Sequence, residues 1–290
     1  MKKIDLSIVD DTFLDDYISS INIVTIKSKL SDIKDCKFII DNLENIIKAD
    51  VNSIKTKYLN CLSGKSKKDK KKIEEAFNYS GYRKKQAFMK SFKKLNIKSC
   101  PFCNNNYVYF YKDNSRNFNT IATLEHYYPK AKYPHLSLSF FNLIPSCYIC
   151  NSKFKGNDTY VWNIIHPYIE DFDKDAKFKV DINSIGIKKD IDLDIELITT
   201  NDKCKQSIKR FNLDKIYEQH NDIAKEIYNK AQQYNQTRID ELYDSFYKDL
   251  GYSKEDVKNF AFSSYLEKKD INRRNHTKLT QDILEQFKIL

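Results

Sequence analysis

The chain has 290 residues, is 41% hydrophobic and 31% charged, and carries a net charge of +10. Such a composition can bury a core, and no apolar stretch reaches the roughly 20 residues that span a bilayer. The start, MKKIDLSIVDD, lacks the apolar centre of a secretory signal. We therefore expect a cytoplasmic protein with no membrane partner. The positive charge favours a polyanionic partner, unless it reflects only a lysine-rich composition.

Residues 1–95 are predicted to form an N-terminal helical region. After Phe38, apolar residues recur at the three- and four-residue steps of a helix face. A basic run from Lys65 to Lys72 could contact phosphates, but a solvated loop or the start of a helix is the favoured interpretation. The recurring apolar residues are Leu43, Ile46, Ile47, Val51, Ile54 and Tyr58.

Two β-hairpins are predicted further along the chain. The first joins residues 107–111 to residues 118–124, which are rich in aromatic and β-branched side chains, through the polar segment DNSRN. The second joins residues 178–182 to residues 191–197, where apolar and polar residues alternate, with Gly186 between them. One face of this second hairpin should be buried, and its acidic face should meet solvent or a protein partner.

Helices are predicted to return from Asp202 onward. One apolar face comprises Ile216, His220, Ile223 and Ile227. A second face comprises Ile239, Leu242, Tyr243, Phe246 and Leu250, and Gly251 is well placed to end that helix. The predicted domains are thus residues 1–95, residues 96–170, and a hairpin with C-terminal helices over residues 171–290.

Four of the seven cysteines form two Cys-x-x-Cys pairs, Cys100 with Cys103 and Cys147 with Cys150. In a reducing cytosol this spacing indicates metal ligation rather than disulfides. Two such pairs can complete a closed, tetrahedral structural zinc site. The alternative is two unrelated sets of buried thiols. The remaining cysteines, Cys36, Cys61 and Cys204, are predicted to be small buried apolar residues.

Between the cysteine pairs, Glu125 and His126 follow the apolar segment Ile121–Leu124. Adjacent side chains at a strand end point to different sides, so one can hold a metal while the other faces an attacking water. A neutral imidazole suits the role of general base, and carboxylate and amide oxygens suit Mg²⁺. Phosphodiester hydrolysis needs both a base and a cation.

The order of Glu125-His126, Asn142 and Asn151 resembles that of HNH endonucleases in the ββα-metal, or His-Me finger, superfamily. The resemblance implies that His126 is the general base and that Asn142 orients it through the backbone. It also implies that Glu125 and Asn151 hold a catalytic Mg²⁺ or Mn²⁺. Two residues depart from the family pattern, because Glu replaces the commoner Asp and Asn replaces the third His. Both can still ligate through oxygen.

A longer string, EHYYPKAKYPHLSLSFFNLIPSCYICNSKFKGN, resembles the PtuB-type nucleases encoded beside an SMC-like AAA ATPase in Septu and some retron phage-defence systems. This resemblance covers roughly residues 97–290. Together with the predicted helices, it leads us to expect an α+β, mainly α fold in which a zinc-stabilised ββα-metal HNH module lies between helical regions, with an additional β-hairpin. It further implies that DNA is the substrate and that an ATPase is the partner.

Several residues near the proposed site have two possible interpretations. The four lysines that flank the proposed site could position DNA through its phosphates or simply be solvated. His135 could be structural or contact phosphate, and His166 could be structural or support the site. The four lysines are Lys130, Lys132, Lys153 and Lys155.

Two other functions remain open from the residues alone. The zinc module could be a non-catalytic DNA-binding or adaptor element of an ATPase complex. The chain could instead cut RNA, as a tRNA-cutting toxin does, because this chemistry requires no 2′-hydroxyl.

Overall fold

The computed structural model describes residues 1–112, 114, 118–155, 163–186 and 191–290. Within these ranges the chain is mainly helical, with three two-stranded antiparallel sheets. This confirms the α+β, mainly α class. Among the described residues, none of the helices has both the length and the apolar character needed to cross a bilayer.

The chain divides into two compact units built from interleaved segments. The N-terminal unit comprises Ile4–Ile97 and Val108–Trp162, and the C-terminal unit comprises Met1–Lys3, Lys98–Tyr107 and Asn163–Leu290. The domain boundaries predicted near residues 95 and 170 stay predictions.

The helical prediction for the first 95 residues is confirmed, although the helices are short. The apolar run after Phe38 is divided because Asp50 caps a new helix by accepting a hydrogen bond from the Ser53 amide. The basic run begins a helix, since Ser66 caps it through the Asp69 amide. The helices are α1 (Asp11–Ser19), α2 (Ile23–Ser31), α3 (Lys37–Asp41), α4 (Leu43–Lys48), α5 (Val51–Ser53), α6 (Lys67–Phe77), α7 (Tyr79–Tyr82) and α8 (Gln86–Lys94), and α5 continues as a π-helix over Ile54–Tyr58.

Aromatic side chains form the core of the N-terminal unit. Phe92 of α8 stacks on Phe140 with ring centroids 5.2 Å apart, and Tyr17 of α1 meets Phe140 edge-on at 5.3 Å. The Tyr17 hydroxyl also donates to the Leu138 carbonyl at 2.9 Å. These contacts fix residues 138–140 against α1 and α8, and this segment lies in the connection between the two strands that carry the candidate site.

The first predicted hairpin is confirmed but is shorter than expected. Strands β1 (Phe110–Lys112) and β2 (Phe118–Thr120) pair antiparallel, and the turn residues 113 and 115–117 lie outside the described ranges. Residues 121–124 of the predicted second strand do not continue β2. The Thr120 hydroxyl accepts a hydrogen bond from the Ala122 amide, which turns the chain after Thr120. Strand β3 (Thr123–His126) instead pairs antiparallel with β4 (Leu143–Ser146).

The second predicted hairpin is also confirmed. Strands β5 (Ala176–Ile185) and β6 (Ile191–Thr199) pair antiparallel. The apolar side chains of Phe178, Val180 and Leu193 are buried, whereas the acidic side chains on the opposite face of β6 are exposed. The helices of the C-terminal unit are α9 (Phe172–Asp175), α10 (Asp202–Phe211), α11 (Leu213–Tyr217), α12 (Asn221–Gln233), α13 (Gln236–Leu242), α14 (Lys254–Phe262) and α15 (Thr277–Gln286).

The apolar face predicted from Ile239 to Leu250 is buried only at its start. Ile239 is buried on α13, but Phe246 is 59% exposed and Leu250 is 56% exposed. The α-helix passes into a π-helix over Tyr243–Tyr247, which rotates the later residues away from the α-helical face. Gly251 follows with φ +79, as expected for a residue that ends a helix.

Candidate functional site

Four buried cysteines lie close together. The Sγ atoms of Cys100, Cys103, Cys147 and Cys150 are all within 4.8 Å of one another. A tetrahedral zinc ion with Zn–S bonds of about 2.3 Å requires sulfur atoms about 3.8 Å apart, so the donor set fits a metal such as zinc. The chain therefore contains the predicted four-cysteine cluster.

In each cysteine pair, a backbone amide donates a hydrogen bond to one sulfur atom. The Asn105 amide donates to Cys103 Sγ at 3.5 Å, and the Cys150 amide donates to Cys147 Sγ at 3.4 Å. Asn104 stabilises the segment that carries Cys100 and Cys103. Its side chain donates a hydrogen bond to the Ser99 hydroxyl and accepts one from the Lys278 amide. Its φ of +49 explains why asparagine, which tolerates the left-handed region, follows Cys103. The sequence analysis did not single out Asn104.

The three other cysteines lie outside this cluster. Cys36 and Cys204 are buried as predicted, whereas Cys61 is only half-buried. Burial raises the pKa of Cys61 and of Cys204 to about 11. These thiols are therefore poor nucleophiles at neutral pH.

His126 is held in one tautomer at the end of β3. Its Nε2 lies 3.1 Å from the Ser137 carbonyl oxygen. A carbonyl only accepts, so Nε2 carries the proton and Nδ1 is the acceptor nitrogen of the neutral ring. The Tyr79 ring meets the imidazole edge-on, with centroids 4.4 Å apart. Burial, and then the positive charge of Lys155, lower the pKa of His126 to about 3, so the ring is neutral at physiological pH.

Asn142 ties together the loop between β3 and β4. The side chain is fully buried. Its Oδ1 accepts from the Tyr128 amide at 2.7 Å, and its Nδ2 donates to the carbonyls of Leu136 at 2.9 Å and Tyr128 at 3.2 Å. Leu136 precedes Ser137, whose carbonyl holds His126. This geometry is compatible with the predicted orienting role, which acts through the backbone.

Glu125 forms an ion pair with Lys155 inside the site. The two side chains are 7% and 12% exposed, respectively. Lys155 also donates to the backbone carbonyl of His126. The lysine thus reaches into the site from the π-helix Ile149–Lys155 that follows the second cysteine pair.

Asn151 lies on the same π-helix and contacts β3. Its Nδ2 donates to the Leu124 carbonyl at 3.4 Å, so Oδ1 is the atom that it can offer to a cation. The Asn151 amide donates to the Cys147 carbonyl, which links its position to the second cysteine pair. A carboxylate and an amide oxygen on neighbouring elements are hard donors, and their chemistry fits Mg²⁺ or Mn²⁺. A cation bound to Glu125 would take the place of the Lys155 ammonium.

A cavity of about 690 Å³ brings His126 and Asn151 together. Tyr79 and Leu124 also line it, and its basic side chains come mainly from the segment between α7 and α8. The sequence analysis did not assign that segment to the site, although the consecutive basic residues at 83–85 were visible in it. The basic lining residues are Arg83, Lys84, Lys85 and Lys130.

The four flanking lysines differ in their surroundings. Lys130 pairs with Glu74 at 2.8 Å at the cavity rim. Lys132 and Lys153 are exposed, whereas Lys155 is the buried partner of Glu125. Contact with phosphate stays a prediction for all four.

The other histidines have structural contacts. His135 is fully buried and its Nε2 lies 2.9 Å from the Tyr58 carbonyl, which favours the structural interpretation. Burial lowers the pKa of His135 to about 4. His166 is also buried, and its Nδ1 accepts from the Tyr168 amide at 3.4 Å. His276, which had no visible partner in the sequence, lies 2.6 Å from Asn105 Oδ1 beside the first cysteine pair.

Part of the chain is similar to a known phage protein. A segment of 83 residues is 35% identical to Protein ea31 of Escherichia phage lambda, and it covers 28% of this chain and 23% of that protein. No family model matches the chain, and no solved structure gives a significant match.

Proposed function

We propose that this chain is a divalent-metal-dependent HNH endonuclease that hydrolyses DNA. Two antiparallel strands, β3 and β4, are followed by the π-helix Ile149–Lys155. This element order supports a ββα-metal module, with His126 on the first strand and Asn151 on the helix. In this proposal the four-cysteine cluster holds a structural zinc ion that fixes the start of the helix.

The observation that carries the proposal is the hydrogen bond between His126 Nε2 and the Ser137 carbonyl. It leaves Nδ1 as the nitrogen that can accept a proton, on a residue that lines the cavity with Asn151. A histidine that serves only structure needs neither a fixed acceptor nitrogen nor a place on a basic cavity. Together these features support the role of general base for His126.

In the proposed reaction, His126 Nδ1 takes a proton from the water that attacks the scissile phosphate. The Ser137 carbonyl stabilises the imidazolium as it forms. A divalent cation, when held by Glu125 and Asn151, would supply positive charge for the transition state and the departing 3′ oxygen, leaving a 5′ phosphate. The low pKa keeps His126 neutral before reaction, and an anionic phosphate nearby favours its protonated form as the proton transfers.

Cleavage of plasmid DNA with and without Mg²⁺ tests the proposal. We expect His126→Ala to lower the rate by about 10²- to 10⁴-fold, with zinc content and thermal unfolding retained. His220→Ala, which changes a half-buried histidine of the C-terminal unit, should cut normally. Loss of soluble protein in His126→Ala alone would indicate a structural histidine. DNA binding without divalent metal and without any product would favour the adaptor function, and cutting of RNA alone would favour a ribonuclease.

We also propose, from the sequence resemblance, that the chain is the cytoplasmic effector of a bacterial anti-phage system and works with an SMC-like AAA ATPase. The proposed hydrolysis acts on the phosphodiester and reads no base, so we assign the choice of target to a partner. Purification of the tagged protein from its native host tests this, because an ATPase should co-purify in stoichiometric amount. Recovery of the chain alone would contradict the partnership.

A further inference from the structure

A second basic cavity adjoins the one that contains His126. It has a volume of about 710 Å³, and its lining includes Lys90, Lys93 and Lys94 of α8 together with Lys112 of β1. Gln86 lines both cavities, so they meet at the start of α8. Among the described residues that line either cavity, none is acidic.

The lysines lie on the solvent face of an amphipathic helix. Phe88, Met89 and Phe92 of α8 are buried in the aromatic core, whereas Lys90, Lys93 and Lys94 are exposed. Lys94 is partly engaged by Asp16, at 3.3 Å. The core contacts of α8 fix its orientation, so its basic face has a defined position beside the His126 cavity.

A third cavity that adjoins the His126 cavity has a mixed charge. It has a volume of about 330 Å³, shares Tyr79, Ser80 and Lys130 with the His126 cavity and is also lined by Lys71, Glu74 and Glu75. Glu74 pairs with Lys130 and so offsets that charge. A polyanion that reaches His126 therefore meets carboxylates and lysines together on the α6 side, whereas the charged residues that line the cavities on the α8 side are basic.

We infer that α8 and the preceding Arg83–Lys85 segment form the track along which a DNA strand reaches His126. This inference rests on the proposed function and gives the N-terminal helices a part in substrate binding. From Gln86 to Lys94 the helix rises about 12 Å, which is long enough to contact more than one phosphate of a strand. Lysine contacts to phosphate fix the position of the strand without reading its bases, so the track accepts DNA of any sequence.

Charge removal on α8 tests the track. In the Lys90→Gln/Lys93→Gln variant, the dissociation constant for a 20-nucleotide DNA, measured in EDTA, should rise about tenfold. The magnitude of the slope of log affinity against log salt concentration should decrease by about two. The matched control is Lys67→Gln/Lys68→Gln, which removes two exposed lysines from α6 of the same unit. Equal weakening in both variants, or none in the α8 variant, would overturn the inference.

A small substrate separates this inference from the proposed function. Hydrolysis of bis-p-nitrophenyl phosphate with Mn²⁺ needs the site but not the track, so the α8 variant should retain the wild-type rate while its KM for DNA rises. If the wild-type protein cuts neither substrate but the α8 variant still loses DNA affinity, the proposed function fails and the track stands. If the α8 variant loses activity on both substrates equally, those lysines act on the site and the track is wrong.

Discussion

The Glu125 carboxylate and the Lys155 ammonium form an ion pair within the candidate site, with side chains 7% and 12% exposed. A largely desolvated carboxylate that is paired with an ammonium binds a divalent cation less readily than an unpaired carboxylate does, because the cation has to displace the ammonium. Lys155 also donates to the His126 carbonyl. In the proposed site, binding of a cation at Glu125 would therefore be coupled to the position of the π-helix that carries both Lys155 and Asn151.

We expect Lys155→Met to lower the Mg²⁺ concentration for half-maximal cleavage by about tenfold, which corresponds to about 1.4 kcal/mol of removed competition. Without metal, the variant should melt earlier than wild type because a buried carboxylate has lost its partner, and Mg²⁺ should restore its Tm. Metal titrations of cleavage and of Tm check both effects. Lys153→Met, which changes an exposed lysine of the same π-helix, should alter neither. An unchanged metal requirement in Lys155→Met would refute the competition.

Asn142→Asp should lower both stability and activity. The change removes the donors to Leu136 and Tyr128, at a cost of about 1–3 kcal/mol for each carbonyl left unsatisfied. Because the loop no longer fixes Ser137, His126 should be misplaced and cleavage by the folded variant should fall about 100-fold. Ser139→Ala removes another buried bond of the loop, from its hydroxyl to the Ile46 carbonyl. This control should lose stability but keep cleavage, and a parallel loss of both in the two variants would indicate a purely structural role for Asn142.

Cys100→Ser should abolish metal binding and unfold the protein around the cysteine cluster. Structural zinc sites contribute on the order of 10 kcal/mol to folding, so the loss should exceed that of an ordinary buried thiol. Elemental analysis should give one zinc per wild-type chain and less than a tenth of that in the variant. Cys204→Ser, at a buried thiol outside the cluster, should retain the metal. Full zinc content in Cys100→Ser would contradict the site.

Stability should decrease as the pH falls below 6.5. The folded pKa of His135 is about 4, below its ordinary value near 6.5, because burial disfavours the charged ring. The unfolded chain then binds a proton at His135 more tightly than the folded chain does. The contribution of His135 to the free energy of unfolding is therefore fully present above pH 6.5 and is lost as the pH falls toward 4. The total loss is about 3 kcal/mol. Denaturant unfolding from pH 7 to 4.5 should show a shallower decline in His135→Gln, whose amide can still donate to Tyr58; an unchanged slope would contradict this assignment.

Local patterns in the sequence were sufficient for the parts of the fold that depend on near neighbours. The alternation of residues 178–182 and 191–197 predicted the hairpin of β5 and β6 because each side chain's face follows from its parity along the strand. The predicted strand from Phe118 to Leu124 was too long, since the hydrogen bond from the Ala122 amide to the Thr120 hydroxyl ends β2. The apolar spacing from Ile239 to Leu250 did not reveal the π-helix over Tyr243–Tyr247, after which the apolar residues are exposed.

The sequence alone determined which side chains could carry chemistry: two Cys-x-x-Cys pairs, Glu125 with His126, and the two asparagines. Spacing sufficed there because a two-residue gap lets both thiols reach one ion. Only the tertiary structure decided what surrounds His126. Ser137 reaches it through a loop that Asn142 closes, and Tyr79 approaches from a helix far away in the chain. Such contacts depend on how the helices and strands of the N-terminal unit pack together, and no local pattern specifies that packing.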